Sequence, residues 1–189
     1  MEFFPTLRLA FADHWILLAI YAAALMLAVA RLTGDKRAWL FADPKESLHG
    51  LQKVTLRLGQ ALAFAVIVLE AFSPLFQVPF YVSIIGLGFY LAGTAMVVVS
   101  IFYFGRASDG RPASDGPYNF SRNPQWVGLF SALLGIAISC GSWLLVIMVI
   151  SVGAVYHIQI LEEERACRAQ YGQLYEEYCL RVPRYLFVK

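Results

Sequence analysis

Residues 80–104 read FYVSIIGLGFYLAGTAMVVVSIFYF and contain no charged side chain. A helix that crosses the hydrocarbon core of a bilayer needs about 20 consecutive apolar residues, and this stretch is longer than that. The whole chain has the same character, because 59% of its 189 residues are hydrophobic and only 15% are charged. The stretch therefore predicts a membrane-spanning helix, and the composition excludes a disordered chain or a nucleic-acid-binding tail.

Four further apolar segments flank this stretch. They are residues 14–30, 56–72, 127–140 and 143–161. The segment 127–140 is the shortest, and it crosses a bilayer only if its helix begins earlier, near Pro124. Gly141 and Ser142 leave so short a break that the last two helices form a tight antiparallel hairpin. The sequence therefore predicts an all-α, polytopic membrane protein with about five transmembrane helices.

Lysine and arginine are distributed unevenly between the two sides of such an arrangement. Of the 15 basic residues, Arg8 alone precedes the first span, and the others follow the first, third and fifth spans. Because cytoplasmic loops retain positive charge, this pattern predicts an outside N-terminus and a cytoplasmic C-terminus. A multi-pass protein of a bacterial inner membrane is the expected setting.

Two polar segments meet on the predicted cytoplasmic side. Loop 105–126 contains three prolines and two Ser-Asp-Gly turns, and tail 162–189 begins with three glutamates directly after the last span. Unpaired carboxylates at that depth are costly and usually have a partner. Local ion pairs with Arg165 and Arg168 are one explanation for the glutamates. A polar cavity, in which they accept hydrogen bonds from a cationic or hydroxyl-rich ligand, is the other.

The rest of the tail has an aromatic pattern. Tyr171, Leu174, Tyr175 and Tyr178 recur at helical spacing among charged residues. This spacing predicts a cytoplasmic amphipathic helix along the membrane surface, with the aromatic side chains used for packing.

Three isolated features have competing interpretations. Glu70, near the outer end of the second span, either reaches water or faces the bundle interior, and we favour the first. His157 is either a base or a structural hydrogen-bonding group. Gly86 and Gly88 favour close helix packing over contact with a cofactor. Three cysteines without a CxxC motif predict neither a disulfide framework nor a zinc site, and no metal is expected.

Several short motifs follow one another in a fixed order over roughly residues 86–186. They are GPY at 116–118, SRNPQWVG at 121–128, Glu163-Glu164, Tyr171-Gly172 with two further tyrosines, and VPR at 182–184. In this order and spacing the chain resembles the integral-membrane methyltransferase superfamily of isoprenylcysteine carboxyl methyltransferases and phospholipid N-methyltransferases.

The resemblance implies an organisation and a cofactor. Residues 79–189 would form the methyltransferase-like core, with cofactor loop 105–126, hairpin 124–161 and tail 162–189, while residues 1–78 would be accessory transmembrane helices. The cofactor would be S-adenosylmethionine, held on the cytoplasmic side, and a lipid or lipidated acceptor would enter from the bilayer. The implied cofactor-binding residues are Tyr118, Arg122, Asn123, Pro124, Gly128, Glu163 and Glu164. Among them Arg122 and Glu163 would be catalytic, because they would orient the methyl donor.

Departures from the family pattern bear on the acceptor. Asn123 stands where a histidine is common, and Gln159 stands near the place of an arginine that suits a substrate carboxylate. An isoprenylcysteine-like carboxylate and a phospholipid amine therefore both remain candidate acceptors, and a small hydrophobic thiol is a third. Two other functions stay open, namely an NAD(P)H-dependent membrane reductase of the sterol reductase type and a non-enzymatic membrane scaffold or assembly factor.

Overall fold

The computed structural model describes residues 1–7, 13–41, 48, 50–74, 78–108 and 110–186. Within these residues every regular element is helical, which confirms the predicted all-α class. The helices are α1 (Trp15–Ala30), α2 (Gly34–Leu40), α3 (Leu51–Ala71), α4 (Phe80–Arg106), α5 (Pro124–Ser139), α6 (Trp143–Tyr171) and α7 (Gln173–Arg181), with a 3₁₀ turn at Gly116–Asn119.

Each of the five predicted apolar segments forms a helix. Helices α3, α4 and α6 are long and apolar enough to cross a membrane, so the chain has the character of a membrane protein. Helices α1 and α5 have 16 residues each, fewer than the roughly 20 of a full span, and five crossings remain a prediction. Helix α5 begins at Pro124, the earlier start considered above, because the first helical position needs no N–H donor.

Helix α6 continues through the three glutamates and ends at Tyr171. Residues 161–170 are mostly Leu, Glu, Arg, Ala and Gln, which are strong helix formers, so nothing in this stretch stops the helix. Gly172, with φ +54°, supplies the break. The separate helix of the tail is therefore the short α7, and its Tyr175 and Tyr178 are buried in the protein.

Glycines bring α4 and α5 into backbone contact. A Cβ atom on Gly93 would lie 2.5 Å from the carbonyl oxygen of Gly128, and one on Gly86 would lie 2.6 Å from that of Gly135. The predicted packing role is thereby confirmed for Gly86. Gly88 differs, because a Cβ atom there would have nothing within 4 Å. The close pairing of these two helices fixes where α5 begins, beside the end of α4.

The predicted exposure of Glu70 is wrong. Its side chain is fully buried, and among the described residues neither carboxylate oxygen has a hydrogen-bond partner. Glu70 lies one helical turn after the buried Val66, so both residues occupy the face that α3 turns towards the bundle. The packing of that apolar face carries the carboxyl group inside.

Candidate functional site

A cavity lies where the ends of α4 and α6 meet the start of α5 and the tail. Its walls contain six aromatic side chains, two glutamates, one arginine and two amides. The volume of the cavity is about 70 Å³, and it is partly open to solvent. In the part of the chain that the structure describes, no group of three or more His, Cys, Asp or Glu side chains could hold a metal ion.

The structure brings most of the predicted site residues to this cavity. Those in its walls are Tyr118, Arg122, Asn123, Glu163 and Glu164. The other two predicted residues do not line it. Pro124 is buried at the start of α5, and a Cβ atom on Gly128 would lie 2.7 Å from the carbonyl oxygen of Gly93 in α4. Their cofactor contacts remain predictions.

Glu164 is the centre of a buried ionic cluster, with a side chain only 1% exposed. Its Oε1 accepts hydrogen bonds from Arg122 Nε at 3.1 Å and from Asn123 Nδ2 at 3.0 Å. Arg184 binds both carboxylate oxygens, with Nε at 3.2 Å from Oε1 and Nη2 at 3.1 Å from Oε2. Charge-assisted and bidentate bonds of this kind are the strong ones, so Glu164 joins the loop and the tail to α6.

Arg122 adds a second connection between the loop and the tail. Its Nη1 donates to the carbonyl oxygens of Cys179 at 3.2 Å and Val182 at 3.4 Å, and its backbone N–H donates to Pro183 at 2.9 Å. The VPR motif therefore lies against the SRNP motif, as neighbours in space. Arg184 was not among the predicted site residues, although its motif was the signal that could have identified it.

Glu163 has a different environment from Glu164. Its Oε2 accepts a hydrogen bond from Trp126 Nε1 at 2.8 Å, and its Oε1 accepts one from Gln159 Nε2 at 3.1 Å. Both partners are neutral, and both carboxylate oxygens keep capacity to accept further bonds. Glu163 therefore contributes an acceptor to the cavity wall.

Trp126, the hydrogen-bond partner of Glu163, packs with two further aromatic rings, and none of the three lines the cavity. The ring centroids of Trp126 and Tyr156 lie 5.3 Å apart, and those of Phe130 lie 6.0 Å and 6.2 Å from them. This ring group holds Glu163 through Trp126, and the Glu163 carboxylate itself lines the cavity, where it suits a cationic ligand.

Gln125 contributes a donor without a partner. Its Nε2 is buried, it has no hydrogen-bond partner among the described residues, and the side chain lines the cavity. A buried donor left unpaired costs about 1–3 kcal/mol, so such groups are uncommon. A ligand acceptor in the cavity would satisfy it. Sequence reasoning missed Gln125, because in the SRNPQWVG motif at 121–128 the family resemblance assigns a role to Pro124 but none to the residue after it.

The tyrosines of the tail both pack and line the cavity. Tyr175 and Tyr178 are buried against Tyr118, and the Tyr178 hydroxyl donates to the Tyr118 carbonyl oxygen at 2.7 Å. The predicted packing role is confirmed. Burial raises the pKa of Tyr118, so its phenol stays neutral at physiological pH.

Two remaining polar residues have structural partners. His157 Nδ1 lies 2.6 Å from the Tyr185 hydroxyl, which supports a structural role, and His157 does not line the cavity. Glu162 pairs with Arg165. Local pairing, one of the two explanations offered for the glutamates, therefore applies to Glu162, and Glu164 also has a local partner, Arg168, with Nη2 4.0 Å from Oε2.

Comparison with known proteins gives one match. A family model described as phospholipid methyltransferase matches residues 80–174, just over half of the chain. The matched segment begins with α4 and contains all of the predicted site residues. No curated protein and no solved structure matches this chain.

Proposed function

The chain belongs to the phospholipid methyltransferase family, and from this membership we propose that it transfers a methyl group from S-adenosylmethionine to a membrane-partitioning acceptor. The observation that carries the proposal is the composition of one cavity. It combines the unpaired amide donor of Gln125, the Glu163 carboxylate with its neutral partners, and a largely aromatic wall.

The residues of the cavity fit this cofactor by their chemistry. S-adenosylmethionine has a cationic sulfonium, a planar base, ribose hydroxyls, an ammonium and a carboxylate. Aromatic faces suit the sulfonium and the base, and the Glu163 carboxylate suits the hydroxyls or the ammonium. The buried Nε2 of Gln125 supplies a donor for an acceptor atom of the cofactor.

We assign direct and indirect roles among the predicted residues. Tyr118, Arg122, Asn123 and Glu163 would contact the cofactor or lie next to it. Glu164 would act through Arg122 and Asn123, because its oxygens already bind both. Pro124 and Gly128 would act through the placement of α5, which carries Gln125.

The bound cofactor supplies an electrophilic methyl carbon on its sulfonium. The work left to the protein is to align the acceptor with that carbon and to exclude water. Arg122 and Glu163 would orient the donor, and the aromatic side chains would keep the site dry. No strong acid or base is needed for the transfer itself.

The surroundings of Glu163 favour an amine acceptor, as on a phospholipid headgroup. The carboxylate lines the cavity and has two neutral hydrogen-bond partners, Trp126 and Gln159, so its charge would attract an ammonium group. An ammonium must lose a proton before it attacks, and Glu163 is a group that could accept it. A prenylcysteine-like carboxylate is the second candidate, because Arg122, Arg168 and Arg184 surround the single Glu164 charge.

We also propose that the cavity faces the cytoplasm of a bacterial cell, in a multi-pass protein of the inner membrane. Three segments that were predicted to be cytoplasmic meet at the cavity, with Trp39 from the first, Tyr118 from the second and Tyr175 from the third. Their positive charges favour this orientation.

Calorimetric titration of the detergent-purified protein with S-adenosylhomocysteine, S-adenosylmethionine and NADPH tests the proposal. We expect both sulfur compounds to bind and NADPH not to bind. Glu163→Gln should weaken binding about tenfold or more, because it removes a charged acceptor. Glu177→Gln, an exposed glutamate of α7, is the matched control and should bind like the wild type.

Vesicle assays then identify the acceptor. Transfer of a labelled methyl group to phosphatidylethanolamine supports the amine, and transfer to a prenylcysteine supports the second candidate. Binding of NADPH alone would replace the proposal with the reductase. A folded protein that binds none of the three compounds would favour the scaffold.

A further inference from the structure

Helix α2 lies outside the segment that matches the family, yet it is fixed to the rim of the cavity. Lys36 Nζ donates to the carbonyl oxygens of Gly105 at 2.8 Å and Ala107 at 2.7 Å, at the end of α4. Carbonyl groups at a helix C-terminus lack intrahelical partners, and the helix dipole there favours a cation. Arg37 Nη2 also donates to the Leu32 carbonyl oxygen at 3.2 Å. The two Lys36 bonds hold α2 across the end of α4, and the Arg37 bond joins it to the residues directly after α1.

Trp39 extends from α2 to the cavity. Its Nε1 donates to Gln170 Oε1 of α6 at 2.9 Å, and its ring stacks on Phe104 of α4, with centroids 5.3 Å apart and planes inclined by 29°. Trp39 as a residue is nevertheless 38% exposed, and it forms part of the cavity wall. Its position is therefore fixed by two other helices while part of its surface remains open.

The other aromatic side chains of the wall offer less open ring surface. Tyr118, Tyr175 and Tyr178 are buried against one another, and Tyr171 is half-buried and packs against them. Phe104 already stacks on Trp39. Trp39 is consequently the best placed of these rings to receive a planar group of a ligand.

We propose that Trp39 binds the cofactor by stacking on its planar base, an inference that rests on the proposed function. An indole ring gives a large stacking surface, and the Gln170 bond and the α2 anchors hold it in advance of binding. The N-terminal part of the chain then completes the cofactor site. Residues 1–78 would then contribute to cofactor binding and would not be merely accessory, although the motifs that indicated a cofactor lie after residue 86.

Calorimetric titration with S-adenosylhomocysteine and with adenosine tests the proposal. Alanine substitution of an aromatic residue that stacks on a base weakens binding about 5- to 150-fold, and we expect that loss for Trp39→Ala with both compounds. Adenosine carries the base without the amino acid, so its dependence on Trp39 distinguishes stacking on the base from attraction to the cation. Trp39→Phe should retain most of the affinity.

The matched control is Trp15→Ala, at the start of α1, where the side chain is 45% exposed. It should bind both compounds like the wild type. A second readout is the intrinsic fluorescence of the full-length protein. Base stacking should quench it on addition of S-adenosylhomocysteine, and the quenching should fall in Trp39→Phe while persisting in Trp15→Phe. The fluorescence experiment uses only the phenylalanine variants, so it does not require the alanine variant to fold.

The outcomes separate the two proposals. If the wild type fails to bind S-adenosylhomocysteine, the proposed function fails. If the wild type binds it, while Trp39→Ala binds equally well or Trp39→Phe leaves the quenching unchanged, Trp39 does not contact the base and only this inference is overturned. A lower melting temperature with unchanged affinity would likewise reduce Trp39 to a packing residue.

Discussion

Glu164→Gln is the substitution that best separates the structural part of the site from the part that binds a ligand. Glutamine keeps the size of the side chain and one carbonyl acceptor, but it removes the charge opposite Arg122 and Arg184. Those side chains are only 5% and 21% exposed, so their charges remain in a poorly solvated environment. Removing one partner of a buried ion pair costs about 3–5 kcal/mol.

In a protein of this size, 1 kcal/mol corresponds to a change of about 2–4 °C in the melting temperature. We therefore expect Glu164→Gln to melt about 6–20 °C below the wild type, in the lower half of that range because Arg184 retains some contact with water. Thermal unfolding in detergent, followed by tryptophan fluorescence, measures the shift.

The adjacent Glu163→Gln is the internal control. Its hydrogen-bond partners are neutral, so it should cost only about 1 kcal/mol and melt about 2–4 °C below the wild type. Equal melting temperatures for the two variants would refute the assignment of the structural role to Glu164 and of the ligand-binding role to Glu163. A Glu164→Gln variant with the melting temperature of the wild type would refute it as well.

Three further predictions concern other parts of the chain. Gly93→Ala should cost about 1–3 kcal/mol in thermal unfolding, because its Cβ would meet only backbone of α5, whereas Gly88→Ala in the same helix should cost nothing; equal shifts would contradict the close packing. Glu70→Leu should leave the melting temperature unchanged or raise it, because it removes a buried carboxyl group that has no hydrogen-bond partner among the described residues; a large loss of stability would show that the carboxyl group has a stabilising role. Burial raises the pKa of the Cys179 thiol, so its alkylation should be slow at pH 7. Its alkylation rate should continue to rise at pH values where the rate for an exposed thiol no longer changes. The same dependence of rate on pH as for glutathione would contradict this.

The sequence predicts the helices well because their signal is local. Residues 80–104 form a continuous apolar run, and Pro124 marks the start of α5 by its missing N–H group. The orientation of a helix about its own axis is less local. Glu70 faces inward because of what α3 packs against, and one carboxyl group near the end of an apolar run gives no sign of that.

The residues of the site also fall into some that could be predicted from the sequence and some that could not. The resemblance to the methyltransferase family implied that Tyr118, Arg122 and Glu163 come together, and the structure places all three in one cavity wall. Which of two adjacent glutamates takes the arginines could not be predicted, because it depends on the rotation of α6. The position of Trp39 in the cavity wall could not be predicted either, because its contact with Gln170 joins residues that are 131 positions apart.

The unbroken course of α6 has a consequence for the choice of acceptor. Its 29 residues rise about 1.5 Å each, so the helix is about 43 Å long and exceeds the roughly 30 Å of a hydrocarbon core. If the span begins at Trp143, about 20 residues bring α6 to the hydrocarbon boundary at the glutamates. The cavity then lies at the hydrocarbon boundary, so the depth of the reactive atom in the membrane decides which acceptors reach it. We expect it to select acceptors whose reactive atom lies within about one lipid headgroup of the hydrocarbon boundary, as in a phospholipid amine, and to reject those that carry the same group on a longer polar spacer.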